Sequence, residues 1–341
     1  MFPHLIWIEI SKKALLGNLR LIKKTIPKTT KIMAMVKANA YGHGLDIVAP
    51  VLSGKVDFFG VNTIEEALTL RKLSLKSNIL IAAPILPSQF PLAHKDHISL
   101  CAHSLEYLNL LSSLHLPLHL HLKINTGMNR LGLSLVELLT AIEILKHSPL
   151  IPEGIYTHFH SSDTNKNSTL AQLDQFNQAV FQTKYYFPEI IAHCANSSAI
   201  FNYPQTHLDM VRPGIALYDQ VLSLYCHPIQ TRKISKNDIV GYSATYISQK
   251  DESMAVLPIG YADGYDRKLS NIGRVWSKNK YHQIIGRISM NFTTITAPRL
   301  TSPIELIGPH VTADEIAALT GTINYEVISR LSPIIARLLV S

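Results

Sequence analysis

KIMAMVKANAYGHG, residues 31–44, decides how this chain is read. Five consecutive apolar residues, Ile32 to Val36, lead into Lys37 and then into the turn-rich run Ala-Asn-Ala-Tyr-Gly-His-Gly. A short apolar run closed by turn signals reads as a buried strand. A lysine at the end of such a strand loses hydration, which lowers its pKa and frees the amine to form a Schiff base with a carbonyl. Taken alone, Lys37 reads more simply as a surface lysine snorkelling from an apolar stem.

The same rhythm recurs downstream. VDFFGV (56–61), NILIAA (78–83), HISLCA (97–102), PLHLHLKI (117–124), GIYTHF (154–159), EIIAHC (189–194) and HLDMV (207–211) bring the candidate strands to eight. Helix-like segments lie between them. Thr63 to Lys72 opens with Thr63-x-x-Glu66, a capping-box pattern. Leu135 to Leu145 carries an apolar stripe at helical spacing, and Ser168 to Tyr185 is similar. Strands alternating with helices imply a parallel sheet. Eight such units fit a closed (β/α)8 barrel. A doubly wound open sheet competes, but no G-x-G-x-x-G follows the first strand.

After about Tyr225 the rhythm changes. IVGYSATYI, MAVLPIG, HQIIGRISM, FTTITA and IELIG are strand-like and separated by turns. The expected architecture is α/β: a (β/α)8 barrel over residues 1–224, then a mainly β domain over 225–341. The size agrees, since 341 residues with 47% hydrophobic content exceed a usual single core. A charged fraction of 16% without a polar low-complexity tract excludes a disordered chain.

The formal charge of +8 could suit nucleic acid, but the Lys and Arg residues are scattered and form no basic run with interleaved aromatics. A basic surface equally suits an enzyme that captures anions. The three cysteines, Cys101, Cys194 and Cys226, are too widely spaced for a disulfide framework or a zinc knuckle. MFPHLIWIEISKK lacks a basic region followed by a long apolar stretch and reads as a strand entering a helix. No apolar run approaches a membrane span. A cytoplasmic protein without nucleic-acid or membrane partners is therefore expected.

In a barrel of this kind the active site forms where strands end. Lys37 ends the first strand, Lys123 and Arg130 lie at and after the fifth, and His158 ends the sixth. Asn196 and Ser197 follow the seventh, and Arg212 ends the eighth. Loops after the last two strands commonly bind phosphate. Ser197, Asn196 and the turn Arg212-Pro213-Gly214-Ile215 could supply hydroxyl and N–H donors there. Ordinary loop chemistry explains the same residues equally well. His119-x-His121 and His158-x-His160 each place two imidazoles on one strand face. Sparse carboxylates argue for structural or network histidines over metal ligands, so no metal is expected.

MetValLysAlaAsnAlaTyrGlyHisGly (35–44) resembles the cofactor-lysine signature of alanine racemases. Lys-x-Asn-Thr-Gly-Met-Asn-Arg-Leu-Gly (123–132), TyrThrHisPhe (156–159), HisCysAlaAsnSer (193–197) and ArgProGlyIle (212–215) match further blocks. GlyTyrSerAlaThrTyr (241–246), GlyTyrAlaAspGly (260–264) and GlyArgIleSerMet (286–290) match in the second domain. The blocks run in family order over nearly the whole chain.

The resemblance implies pyridoxal 5'-phosphate held on Lys37, which is also one catalytic base. It implies Tyr242, supplied by the partner of a homodimer with shared active sites, as the other base. It places Arg212 at the pyridine nitrogen, with His158 linking Arg212 to Tyr242. Tyr41, Ser197, Gly214 and Ile215 match phosphate-site positions, with Asn196 beside them. Arg130 matches a residue near the cofactor and the substrate carboxylate, and Lys123 a lysine that positions that arginine and is often carbamylated. Met290 and Tyr261 match substrate-pocket positions from the second subunit. The implied reaction interconverts L-alanine and D-alanine and supplies D-alanine for peptidoglycan.

The chain departs from the family pattern in places. Pro333 falls where a tyrosine commonly reaches the phosphate, Asn291 where Asp follows Met, and Ser243 where Gly follows the catalytic Tyr. A broad-specificity amino-acid racemase is the nearest alternative, because Pro333 could open the pocket. A barrel-type decarboxylase shares ValLysAlaAsn but carries Glu-Pro-Gly-Arg-like and Cys-Asp-Gly-like motifs that are missing here. A single-domain pyridoxal-phosphate carrier would lack the second domain and Tyr242.

Overall fold

The run that begins at Lys31 is a strand in the computed structural model, which describes residues 4–73, 75–296 and 302–341. β1 is Ile6–Ser11. The eight apolar runs become β2 (Lys31–Met35), β3 (Phe58–Val61), β4 (Asn78–Ile81), β5 (Ile98–Ala102), β6 (His119–Lys123), β7 (Ile151–Tyr156), β8 (Ile191–His193) and β9 (Met210–Val211). They form one parallel sheet in the order β8-β7-β6-β5-β4-β3-β2-β9. Its two ends meet: the Asp209 N–H donates to the Ala192 carbonyl at 3.1 Å, and the Arg212 N–H to the Ala195 carbonyl at 2.9 Å. The sheet is thus a nearly closed barrel. Every residue of β3 and β5 is buried. Strands covered on both faces need apolar side chains throughout, which is why they read as unbroken apolar runs.

The intervening helices start where their caps say. Ser134 and Glu137 form a complete capping box at the head of Leu135–Lys146. Asn165 caps Lys166–Tyr186 by accepting from the Ser168 N–H. Thr63 caps Ile64–Lys72, but Glu66 does not reach back to the Thr63 N–H as the pattern predicts. Its carboxylate accepts instead from the Asn62 N–H at 2.9 Å and the Asn39 N–H at 3.4 Å. The side chain serves the loop that follows Lys37.

The chain divides into two compact units. One holds Leu16–Ala40 and Leu45–Leu217, and contains the barrel. The other holds the N-terminal segment through Leu15, Tyr41–Gly44 and Tyr218–Ser341. Its strands are β1, β10 (Leu222–Cys226), β11 (Gln230–Ile234), β12 (Ile239–Val240), β13 (Tyr246–Ile247), β14 (Glu252–Leu257), β15 (Arg274–Ser277), β16 (Lys280–Gln283), β17 (Thr293–Thr296), β18 (Ile304–Ile307) and β19 (Ala336–Val340). They make a six-stranded sheet, β16-β15-β18-β10-β1-β19, with a three-stranded sheet, β11-β14-β17, and the pair β12-β13.

The split at residue 224/225 read from the sequence therefore needs correction at the N-terminus. β1 pairs antiparallel with β10 and parallel with β19, so it belongs to the second unit. Burial of Trp7, Ile8 and Ile10 fixes it as an interior strand of that sheet.

Candidate active site

Directly after β2 the backbone turns the wrong way. Ala38, Asn39, Ala40 and Tyr41 have φ values of 52° to 55°, the left-handed region. Each such residue costs about 1–2 kcal/mol relative to a right-handed one. Side chains and local bonds hold the turn: the Ala40 N–H donates to the Val36 carbonyl at 2.8 Å, and the Leu45 N–H to Asn39 Oδ1 at 2.8 Å. Backbone strain held by its surroundings clusters at functional sites. Lys37 opens this turn. Burial lowers its pKa most, the Arg130 guanidinium adds to that, Glu66 opposes, and Arg212 lowers it further.

The KINTGMNRLG run forms a loop folded on Asn125. Asn125 Oδ1 accepts from the N–H groups of Gly127 (3.2 Å) and Asn129 (3.0 Å), and its Nδ2 donates to Asn129 Oδ1 at 2.9 Å. The Leu133 N–H then donates to the Lys123 carbonyl at 2.8 Å and returns the chain to β6. At Gly132, φ is 129°, and a Cβ would lie 2.6 Å from the Asn125 nitrogen, so only glycine fits. The loop presents Arg130 exposed.

Lys123 is buried at the end of β6, with Nζ 5.5 Å from the centre of the Tyr156 ring. Burial lowers its pKa, the Cys101 thiol opposes, and Arg130, Arg212 and Lys37 add to the lowering. His158 is pushed down to about 3, first by burial and then by Arg212, Arg130, Lys123 and Lys37. It stays neutral across the physiological range. These mutual fields bring Lys37, Lys123, Arg130, His158 and Arg212 into one cluster at the strand ends. The two guanidiniums among these basic groups, opposed at Lys37 by the Glu66 carboxylate, favour anionic ligands.

Arg212 is buried. Among the described residues its hydrogen bonds go to the carbonyls of Thr157 (2.7 Å), His193 (2.8 Å) and Cys194 (3.2 Å) and to His193 Nδ1 (3.0 Å). The imidazole bonded to Arg212 is therefore His193, not His158. His193 opens one of the sequence blocks, yet nothing in the sequence assigned it a role.

The loops after β8 and β9 are tied together by Ser197. Its hydroxyl accepts from the N–H groups of Gly214 (2.9 Å) and Ala216 (3.2 Å), with Ile215 between them. Asn196 Oδ1 accepts from the Ala199 N–H and the Ser162 hydroxyl, which sets the loop's entry angle. All three cysteines are free and buried. Among the described residues no group of potential ligands could hold a metal ion, and no helix is long and apolar enough to cross a membrane.

The remaining residues singled out in the sequence lie in the second unit. Tyr41 stacks on Tyr218, with ring centres 5.0 Å apart. Tyr242, Tyr261 and Met290 stand on neighbouring loops and are 67%, 42% and 55% exposed. The Tyr261 N–H donates to the Ser289 carbonyl at 3.1 Å, and the Ala262 N–H to the Met290 carbonyl at 3.0 Å. Ser243 has φ 61°, in the left-handed region that favours glycine. The Pro333 carbonyl accepts from Arg337 at 3.2 Å.

Two family models cover the chain: the alanine racemase N-terminal domain matches residues 10–220 and the alanine racemase C-terminal domain residues 221–339. The chain belongs to the alanine racemase family, whose enzymes are pyridoxal-phosphate-dependent isomerases. It is 34% identical to the alanine racemase of Streptococcus equi subsp. equi (strain 4047), over 96% of each chain. The structure matches the alanine racemase of Clostridium difficile 630 with a TM-score of 0.94 at 29% identity, covering 100% of this chain and 97% of that one. It also matches the alanine racemase of Bartonella henselae, solved with covalently bound pyridoxal phosphate, with a TM-score of 0.89 at 28% identity over 99% and 100% of the two chains.

Proposed function

We propose that this chain interconverts L-alanine and D-alanine with pyridoxal 5'-phosphate on Lys37, using Lys37 and Tyr242 of the partner subunit as the two bases. The observation that carries this reading is Lys37 itself: a half-buried amine on a strained turn at a barrel strand end, its pKa lowered by burial, Arg130 and Arg212.

The residues present fit the cofactor. The Ser197 hydroxyl, which accepts from two N–H groups and keeps its own proton to donate, and the Ile215 backbone offer donors for a phosphate, with Asn196 beside them; Gly214 and Tyr41 join them only on the resemblance. Arg212 is a permanent cation that can only donate, so a ring nitrogen facing it must accept. The cofactor, when bound, supplies an electron sink that makes an amino acid's α-proton removable.

Racemisation takes a proton from one face and returns it to the other, so two bases are needed. A lowered pKa leaves Lys37 more often neutral and able to take a proton. Tyr242 serves the opposite face; the resemblance sets His158 beside it, where among the described residues His158 feels the Arg212 charge without a hydrogen bond to it. Arg130 holds the substrate carboxylate, while Tyr261 and Met290 of the partner subunit bound the pocket. As an ammonium, Lys123 would repel Arg130. Its lowered pKa favours a neutral amine that carbamylation could turn into an anion holding Arg130 in place.

The shared exposure of Tyr242, Tyr261 and Met290 supports a homodimer that would cover them. In the cell, D-alanine made in the cytoplasm would feed peptidoglycan.

The direct test incubates the purified protein and cofactor with L-alanine and follows the D-isomer. An approach to an equal mixture supports the reading, and no D-alanine from a protein that binds the cofactor rejects it. Pro333 in place of a bulky tyrosine favours a second reading, a broader substrate range. Equal turnover of L-lysine would support that range, and strict alanine use would remove it.

A further inference from the structure

A permanently charged guanidinium buried inside a protein needs a counter-charge. Arg212 has none in direct contact among the described residues: it bonds three carbonyls and one imidazole. The contacts continue beyond this imidazole. His193 Nε2 lies 2.8 Å from His121 Nδ1, and His121 Nε2 lies 3.2 Å from Glu153 Oε2.

Hydrogen-bond valence fixes the direction of every link. Arginine has no acceptor, so it donates to His193 Nδ1, which must be unprotonated. The proton of His193 is then on Nε2 and is donated to His121 Nδ1. That nitrogen is unprotonated in turn, so His121 carries its proton on Nε2 and donates it to the carboxylate. A cationic His121 is excluded, because both of its nitrogens would donate and His193 would be left without a proton. Both rings are therefore neutral, in one tautomer each.

The surroundings hold this arrangement. The His193 ring stacks on Tyr156 with centres 5.0 Å apart and planes within 6°. The His121 ring lies so close over Gly154 that a Cβ there would be 2.2 Å from its Nδ1. The residue beside Glu153 must therefore be glycine for the ring to fit. Ser99 Oγ donates to Glu153 Oε2 at 2.5 Å, and His119 Nδ1 lies 3.9 Å from Oε1. Burial alone would raise the Glu153 carboxyl, while the hydrogen bonds it accepts from His121 and Ser99 favour the carboxylate and lower it.

We propose that Glu153 is the counter-ion of Arg212, coupled to it through His193 and His121 as two neutral, singly oriented imidazoles, and that this chain holds Arg212 as a fixed donor for the ligand. Glu153, His121 and His193 are positioning residues: they act on the reaction through Arg212. The functional half of the proposal rests on the reading of Arg212 as the residue at the cofactor ring. The electrostatic half belongs to the chain alone.

The test labels histidine side chains with 15N and records their nitrogen resonances near neutral pH, in the protein with and without added cofactor. His121 and His193 should each show a protonated Nε2 and an unprotonated Nδ1. Glu153→Gln, which keeps the shape and removes the charge, should shift the His193 Nδ1 resonance. It should also lower kcat for alanine about tenfold, as ~1.4 kcal/mol of lost polarisation would do, with KM changed less than about twofold. A doubly protonated His121, an Nδ1–H tautomer of either ring, or a Glu153→Gln protein with wild-type His193 resonances and kcat overturns the proposal. Should Glu153→Gln not fold, the wild-type tautomers still decide. A wild-type protein that fails to racemise alanine would remove the proposed function and leave the tautomer result standing.

Discussion

The strand ends of the barrel and the tyrosine-bearing loops of the second unit are built on different plans. At the barrel, Lys123 and Arg212 are buried, the bonds of Arg212 are all made within the unit, and Lys37 opens a strained turn. On the loops, Tyr242, Tyr261 and Met290 are large and solvent-facing. The first region is preorganised by its own bonds; the second presents apolar and phenolic groups to solvent. Catalysis by the proposed route needs both.

Substitution should separate the two regions. Lys37→Ala should abolish the visible absorbance of bound cofactor and cut racemisation by at least ~10³-fold, since on the proposed route it removes anchor and base together. Tyr242→Phe should keep that absorbance and lower racemisation by about 10²–10³-fold. Because Tyr242 is exposed, unfolding of this variant should stay within about 0.5 kcal/mol of wild type. A Tyr242→Phe protein with full activity would break the comparison outright.

Arg212→Ala should behave in the barrel's manner. It strands the buried carbonyls of Thr157, His193 and Cys194, so denaturant unfolding should show a loss of about 2–4 kcal/mol. The smallest effect is a pH dependence. His158 is neutral in the folded protein, with its pKa pushed down to about 3 by burial and by Arg212, Arg130, Lys123 and Lys37. Its ordinary value is about 6.5. The unfolded chain therefore binds a proton between those values and the folded one does not. The stability from this group is complete above about pH 6.5 and is lost as pH falls toward 3, by at most ~1.4 kcal/mol per unit. Thermal unfolding between pH 7 and 5 should slope less in His158→Asn than in wild type.

The barrel was legible because its strands are buried on both faces, which writes them as apolar runs of the right length. β1 was not. IWIEIS followed by the helix Lys12–Thr25 imitates a barrel unit, and its true neighbours, β10 and β19, lie more than 200 residues away. The left-handed turn at Ala38–Tyr41 has no glycine until Gly42, so no local signal announced it. His193 went unassigned because its task depends on Arg212 and His121, which only the closed barrel brings beside it.

Mixing two inactive variants tests the shared site most directly. Lys37→Ala and Tyr242→Phe proteins, each inactive alone, are unfolded together, refolded with cofactor and assayed with L-alanine. If each active site joins Lys37 of one subunit to Tyr242 of the other, the mixed dimer has one intact site. Random pairing should then restore about a quarter of wild-type activity, from half of the dimers with one of two sites intact. Activity no higher than that of the separate variants, from a mixture that has refolded and formed dimers, would contradict the account.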